Sequence, residues 1–325
     1  MTTPTAPKTS TATRFGWSYL SQWATCQTRW WNSQLRRHPK APDGQLGLER
    51  RYQSDALLIG SAFHRFAEDW YLSGWSGDKD TGQRDLDKPL SSAVELIQHQ
   101  SYRLKSQDDG TKAEAVVRGL ALGYHQRYLE DTLRVAPAPD GTPLVEQEFT
   151  LDVGDGHLFT SRIDTVVFEQ DDPEGLWDLE HKTADVSKVS QLKEAFYVDG
   201  QITGQQLQME AHWGPRVRGI RANIAVKRAK NIPPYQRQDY HRGQAQLEKF
   251  QMDVRRRLKG IREGVAKYDM LLEAGMSQDE AARVAFDASQ AGTQTCVSCD
   301  FLALCKNRSQ SELIADIDFI PREPR

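Results

Sequence analysis

Apolar residues recur at helical spacing along the first and last parts of the chain, and they alternate with polar residues in the middle. Helical spacing predicts helices over 18–35, 55–72, 90–106 and 112–134, the first with Ser18 as its N-cap. Further along, it predicts a helix near 201–213 and a long amphipathic helix over 244–272, whose apolar side chains form one stripe. The chain therefore begins and ends in helical layers.

Alternating residues in the middle of the chain predict β-strands. The segment LVEQEFTLDV alternates, the GDG of 154–156 forms a hairpin turn, and HLFTSRIDTVVFE returns as a second strand. LWDLEHK reads as a third strand, and a further strand is predicted over 217–226. Helices followed by a three-stranded meander, a helix and a strand predict an α/β fold with a central mixed β-sheet flanked by helices.

The same pattern gives a domain organisation. We expect one domain over 15–310, with a helical N-terminal part over 15–135, a core over 144–230, and the long helix and a cysteine cluster over 240–308. The stretches 1–14 and 311–325 read as terminal tails, the first rich in Thr and free of acidic residues. A transit peptide is the alternative for the first of these tails.

Composition and charge narrow the class of protein. The 325 residues carry a formal net charge of −3, which excludes a protein that coats nucleic acid through overall positive charge. Nucleic-acid binding would need a local basic patch, as in RRRLKGIR on the long helix or in VKRAK after the predicted strand. No apolar run is long enough to cross a bilayer and no secretory signal opens the chain, so we expect no membrane partner and a cytoplasmic location.

Glu180 and Lys182 make a candidate catalytic pair on the third strand. Residues i and i+2 of a strand point to the same face, so these two side chains project together. Asp164, on the preceding strand, can reach the same place if the two strands pair. Two carboxylates suit Mg²⁺ or Mn²⁺, and a lysine beside them can orient water or stabilise charge on a phosphate. The alternative is an ordinary ion pair on a strand face.

The four cysteines form the second candidate site. Cys296, Cys299 and Cys305 lie within ten residues of one another in TCVSCDFLALCKNR, and Cys26 lies 270 residues upstream. Four thiolates suit either a [4Fe–4S] cluster or a zinc ion, and spacing does not separate the two. Buried small apolar side chains are the alternative. A shared metal group would clasp the first helix to the C-terminal segment.

The order of these motifs resembles the PD-(D/E)xK nuclease superfamily, and within it the RecB-type branch of AddB-like and CRISPR-adaptation-type iron–sulfur exonucleases. The resemblance extends from residue 17 to residue 308. Its elements are a cysteine in the first helix, the G-x-x-x-H of Gly60 and His64, an Asp on a strand, E-x-K, a glutamine-bearing helix and the terminal cysteines.

The resemblance implies a restriction-endonuclease-like core and a role for each motif residue. It implies that His64, Asp164 and Glu180 hold Mn²⁺ or Mg²⁺, joined by the backbone carbonyl of His181, and that Lys182 is catalytic. Gln201 would contact the scissile phosphate. Members of the family usually carry a Tyr soon after this Gln, whereas this chain has Gly204 followed by two glutamines, so Gln205 or Gln206 are alternatives to Gln201. Among cofactors, the resemblance favours a [4Fe–4S] clasp on Cys26, Cys296, Cys299 and Cys305.

The expected function is therefore a metal-dependent DNA nuclease, acting as an exonuclease on single-stranded DNA or DNA ends in recombination, repair or processing. Two other classes stay open: a non-catalytic protein that binds DNA ends, and a zinc-stabilised structural protein of the same fold. The sequence also leaves open a protein partner or a homo-oligomer.

Overall fold

Twelve α-helices occupy the parts of the chain that the computed structural model describes, which are residues 13–42, 45–227, 234–288 and 292–323. In the first half they are α1 (Trp17–Thr25), α2 (Gln27–Gln34), α3 (Asp55–Ser73), α4 (Asp87–Gln100) and α5 (Gln107–Tyr128). In the second half they are α6 (Val189–Phe196), α7 (Gly200–Trp213), α8 (Gln244–Glu273), α9 (Gln278–Ala285), α10 (Gly292–Val297), α11 (Leu302–Lys306) and α12 (Ser311–Asp318). None of these helices has the length and apolarity needed to cross a lipid bilayer.

Seven of the eleven strands within the described ranges form one mixed sheet. These seven are β1 (Thr13–Phe15), β5 (Leu133–Val135), β6 (Val145–Gly154), β7 (His157–Glu169), β8 (Asp172–Asp185), β9 (Val217–Lys227) and β10 (Tyr235–Tyr240). The order is β1-β7-β8-β9-β10, with β5 and β6 also paired to β7. β7 and β8 are antiparallel, β8 and β9 parallel, and β9 and β10 antiparallel. The predicted mixed sheet is thereby confirmed, and the E-x-K strand lies inside it.

Helices cover both faces of this sheet. On one face, α3, α4 and α5 bury an aromatic layer that includes Phe63, Trp70 and Tyr124 against Leu179 and Ala225 of the sheet. On the other face, α7 packs Met209 against Ile163 and Val166 of β7, and Ile202 against β9. Apolar residues at alternating positions of β8 and β9 thus enter two different cores, as expected for a sheet covered on both sides.

The N-terminal helical segment differs from its prediction. In place of one helix over 18–35 there are two, because Cys26 adopts an extended backbone with φ −167° and ψ 115° and ends α1 before α2 begins. Trp23, Trp30 and Trp31 are buried in a core with Phe286. These indoles therefore stabilise the domain by packing in its core. Helical periodicity does not reveal a break of one residue, since the apolar stripe continues across it.

Both termini also differ from the tails expected from the sequence. Residues 1–12 lie outside the described ranges, but Thr13–Phe15 is strand β1, which pairs in parallel with β7. In the segment 311–325, helix α12 is followed by strand β11 (Phe319–Pro321), which pairs with β2 (Leu48–Arg50). Phe319 and Ala315 pack on Leu48 and the neighbouring apolar residues. These elements are too short for a periodic pattern, and long-range packing stabilises them. The two remaining short strands, β3 (Trp75–Ser76) and β4 (Lys79–Asp80), pair with each other.

Candidate active site

Asp164 and Glu180 lie where the hydrogen-bonded pairing of β7 and β8 ends. Val166 and Asp178 form the last pair at this end of the two strands. Beyond it, the Asp164 carboxylate accepts a hydrogen bond from the backbone N–H of His181, with 2.7 Å between Oδ2 and N. At this point a hydrogen bond to the Asp164 side chain thus takes the place of backbone hydrogen bonds between β7 and β8. The arrangement brings both carboxylates to one opening in the sheet, each at most 8 % exposed.

Helix α3 brings a histidine to the same carboxylate. His64 Nδ1 lies 3.3 Å from Asp164 Oδ2. Burial by itself would raise the pKa of Asp164, but the charge and hydrogen bond of His64 hold it well below its usual range. Burial lowers the pKa of His64, and the Asp164 carboxylate more than offsets this, so the His64 pKa is raised. The raised pKa of His64 and the lowered pKa of Asp164 both favour an ion pair between the two, in which the His64 side chain is 29 % exposed.

Lys182 and Glu180 contact each other directly on the α7 side of the sheet. The Lys182 Nζ donates to Glu180 Oε1 in a short ion pair. Burial lowers the pKa of Lys182, and the nearby Glu180 and Asp164 more than offset this, so its pKa is raised. The pKa of Glu180 is also raised, first by burial and then by the charge of Asp164. The ammonium group therefore keeps its proton beside two carboxylates.

Two glutamines of α7 complete the surroundings of Glu180. Gln201 Nε2 donates to Glu180 Oε1 at 3.0 Å, and Gln205 Nε2 donates to Glu180 Oε2 at 2.8 Å. They can act together because residues four apart lie on one face of a helix. Gln206 instead bonds to the backbone of Arg242. Of the three alternatives left open by the sequence, two therefore reach the Glu180 carboxylate.

Glu146 is a site residue that the sequence reasoning missed. It lies on β6 between the pairs Val145–Thr165 and Gln147–Ile163, and so directly opposite Asp164. Its backbone has φ 51°, which is rare for a residue other than glycine and is found most often at functional sites. A hairpin centred on residue 155 pairs positions whose numbers sum to about 310, so the turn could have indicated this partner.

Glu146, His64 and Asp164 together have the spacing of metal ligands. One ligand atom from each lies within 4.8 Å of the other two. Burial, and then repulsion by Asp164, raises the pKa of Glu146 to about 7. A divalent cation would relieve that repulsion, and a set of one imidazole and two carboxylates fits Mg²⁺ or Mn²⁺. The geometry therefore groups His64 and Asp164 with Glu146, whereas the sequence had grouped them with Glu180.

His181 contributes differently from the two residues that flank it. Its backbone N–H holds Asp164, while its imidazole points to the opposite side of the strand, where Nδ1 lies 3.0 Å from Asn223 Nδ2. Burial lowers the pKa of His181 to about 3, so its ring is neutral. The imidazole therefore lies on the α3 side of the sheet, where its ring centre is 6.2 Å from that of His64, and the role expected of the His181 carbonyl stays a prediction.

All four cysteines line one cavity of about 590 Å³ between α2, α9 and the C-terminal segment. Cys26 and Cys299 are half-buried, and Cys296 and Cys305 are exposed. Among the described residues, no three of these sulfur atoms lie within 4.8 Å of one another. Four thiolates around one zinc ion would lie about 3.8 Å apart. Three arginines also line the cavity: Arg29, Arg36 and Arg283.

The basic face of α8 is largely occupied by contacts within the protein. Arg255 donates to the carbonyl of Val153, and Arg262 pairs with Asp155. The Arg257 guanidinium lies 5.0 Å from the centre of the Trp17 ring. Of the other basic segment, Arg228 and Lys230 lie outside the described residues. These contacts favour a structural role for much of the predicted patch.

Comparison with known proteins identifies the family. A crystal structure from Eubacterium rectale, named "Putative exonuclease", is similar to this chain with 13% sequence identity and a TM-score of 0.40, covering 80% of this chain and 86% of that one. Curated proteins give no match. The sequence profile of the PD-(D/E)XK nuclease superfamily matches residues 14–306, which include every motif from Cys26 to Cys305. The chain belongs to the PD-(D/E)XK nuclease superfamily.

Proposed function

We propose that this protein is a RecB-type, metal-dependent DNA nuclease that hydrolyses phosphodiester bonds as an exonuclease on single-stranded DNA or DNA ends. Nucleases of this superfamily use divalent metal ions, and the chain has a candidate acidic metal site. One observation carries the proposal: Lys182, Glu180 and Asp164 meet at the opening between β7 and β8, with His64 against Asp164. A protein that only bound DNA ends would not need this set.

His64, Asp164 and Glu146 would hold the metal ion, with Glu180 beside them. When bound, a divalent cation would polarise the scissile phosphate and lower the pKa of the attacking water. Its binding requires the neutral form of His64 and the ionised form of Glu146. The pKa of each group is raised: that of Glu146 first by burial and then by the charge of Asp164, and that of His64 by Asp164 against the lowering effect of burial. The ion would replace those protons.

Lys182 would stabilise the charge that develops on the phosphate. Its raised pKa keeps Nζ protonated, so it acts as a hydrogen-bond donor to phosphate oxygens. Glu180 holds Nζ at the opening of the sheet, and Gln201 and Gln205 hold the two oxygens of Glu180. Gln201 is the less buried of the two glutamines, and we infer that it can also contact the substrate.

The test is digestion of end-labelled linear single-stranded, linear duplex and circular DNA with Mn²⁺, Mg²⁺ or EDTA. We expect cleavage from the ends with either metal, a preference for single strands, and no cleavage with EDTA. Binding should weaken steeply as salt rises, since phosphate contacts release counterions. Efficient cutting of intact circular duplex would contradict the exonuclease proposal, and no cutting of any substrate with either metal would contradict the nuclease proposal.

We also propose that Cys26, Cys296, Cys299 and Cys305 hold a [4Fe–4S] cluster. Their shared cavity of about 590 Å³ supports this, together with the order of the four cysteines along the chain. A cluster with four thiolates is anionic, and Arg29 and Arg283 would offset part of its charge, whereas the third lining arginine, Arg36, is paired with Asp279. Analysis of iron, acid-labile sulfide and zinc in protein purified without oxygen tests the proposal. Stoichiometric zinc without iron or sulfide would contradict it.

A further inference from the structure

Behind the candidate active site, three polar side chains form a rung across three neighbouring strands. In the parallel pairing of β8 with β9, His181 lies beside Asn223, and in the antiparallel pairing of β9 with β10, Asn223 lies opposite Arg237. Residues at one level of adjacent strands point to the same face. This face is covered by the aromatic layer of α3 and α5, so the rung crosses an otherwise apolar core.

Hydrogen bonds join this rung to two buried tyrosines. Asn223 Nδ2 lies 3.0 Å from His181 Nδ1 and donates to the Tyr124 hydroxyl at 2.6 Å. The Tyr124 and Tyr71 hydroxyls are 3.0 Å apart. Arg237 donates to the Tyr71 hydroxyl at 3.4 Å. The result is a continuous series of polar contacts that begins at the His181 imidazole, on the strand that carries E-x-K.

An ion pair fixes the Arg237 end of this series of polar contacts. Arg237 pairs with Asp131 at 2.5 Å, and its guanidinium lies 3.9 Å from the centre of the Tyr128 ring. His181, Asn223, Tyr71 and Tyr124 are each at most 1 % exposed. Buried polar groups cost free energy unless they are hydrogen-bonded, and hydrogen bonds have preferred directions that apolar contacts lack. The contact at Nδ1 therefore orients the His181 ring, whereas His181 Nε2 and Asn223 Oδ1 are buried without a hydrogen-bond partner among the described residues.

We propose that this polar rung positions the backbone of residue 181 for catalysis, so that Asn223 and Tyr124 are positioning residues. The proposal rests on the proposed nuclease function. Beyond the last β7–β8 pair, Asp164 is held by the His181 N–H, and Glu180 and Lys182 flank that same peptide. A shift of His181 would therefore move the anchor of Asp164 and both catalytic side chains together.

The test compares Asn223→Leu and Tyr124→Phe with Tyr240→Phe as a matched control. Tyr240 is also buried and its hydroxyl is also bonded, to the carbonyl of Lys193, but it lies in the core on the opposite face of the sheet. In the first two variants we expect Mn²⁺ affinity and kcat to fall about tenfold, with KM for DNA within about twofold of the parent, as for other residues that orient ligands. Tyr240→Phe should lower only Tm.

Amide hydrogen exchange at residue 181 gives a readout that needs neither metal nor DNA. We expect faster exchange of this N–H in Asn223→Leu and Tyr124→Phe, and unchanged exchange in Tyr240→Phe. Unchanged exchange in both rung variants, or Mn²⁺ affinity and kcat within twofold of the parent despite a lower Tm, would overturn the proposal.

A parent protein that neither binds Mn²⁺ nor cleaves DNA would instead refute the nuclease function, and the exchange result would still decide whether the rung positions this peptide. Tyr124→Phe removes one hydroxyl only, and it serves if Asn223→Leu does not fold.

Discussion

Glu146 lies directly across the β6–β7 pairing from Asp164, with a left-handed backbone at the second residue of β6. A non-glycine residue in this region costs about 1–3 kcal/mol, and such strain persists where the surrounding structure enforces it. Two carboxylates that face each other also repel, which contributes to the raised pKa of Glu146. A cation bound between the two side chains would offset both the backbone strain and the charge repulsion.

Removing the charge of Glu146 should therefore weaken metal binding. We expect Glu146→Gln to reduce Mn²⁺ affinity by about 10- to 100-fold while keeping the side-chain volume, as measured by calorimetry. Glu148→Gln is the matched control, because Glu148 lies on the same strand but is exposed and paired with Arg14. Equal Mn²⁺ affinities in the two variants would rule out Glu146 as a ligand.

Lys182→Ala should abolish cleavage without loss of the fold. The loss of a positioned donor to the developing charge costs about 10²- to 10³-fold in kcat. The Lys182 side chain is 30 % exposed but its partner Glu180 is fully buried, so the free energy of unfolding should also fall, while Gln201 and Gln205 still donate to the Glu180 carboxylate. The rate of single-strand digestion and the circular dichroism spectrum are the measurements, with Lys188→Ala, an exposed lysine of the same segment, as control. Digestion at close to the parental rate would show that Lys182 has no role in catalysis.

The stability of the metal-free protein should fall as pH rises from 5 to 8. The pKa of Glu146 is raised to about 7, from an ordinary value of 4.5, and that of His64 is raised from 6.5. The native state therefore binds these protons more tightly than the unfolded state, and their stabilising contribution is lost as pH rises through the native pKa values. Mn²⁺ affinity should change in the opposite direction and increase over the same range, because the ion displaces the protons.

Thermal unfolding at several pH values, with and without Mn²⁺, measures both trends. Glu146→Gln should flatten the pH dependence of Tm in the metal-free protein. A Tm that rises from pH 5 to pH 8 in the absence of metal would show that other groups dominate. In that case Glu146 would not hold its proton near neutral pH as its burial requires.

Loss of Cys26 should release the C-terminal segment. We expect Cys26→Ser to lose iron and sulfide together and to lower Tm, because the proposed cluster joins α1 and α2 to the segment that holds Cys296, Cys299 and Cys305. Metal content, visible absorption and thermal unfolding are the measurements. Thr25→Ser, at the exposed neighbouring position, is the control. Full iron content and parental Tm in Cys26→Ser would exclude this cysteine as a ligand.

Local periodicity was enough to predict the E-x-K strand and its neighbours in the sheet. Alternation identified β6, β7, β8 and β9 to within a few residues, and the helical stripe identified α8. Because side chains alternate along a strand, Glu180 and Lys182 could be placed on one face before any contact was known. The order of the motifs along the chain also indicated the family to which it belongs. These features depend on neighbours in sequence, so the sequence alone determines them.

Contacts between distant segments were decided only by the tertiary structure. His64 reaches Glu146 and Asp164 because α3 packs against β6 and β7, and Cys26 reaches the C-terminal cysteines because α2 packs beside α9. The partnership of His181 with Asn223 depends on the pairing of β8 with β9. A periodic pattern reports which face of an element is buried, but it does not report which element covers that face. Strand register and helix packing, which are properties of the whole chain, decide which residues meet.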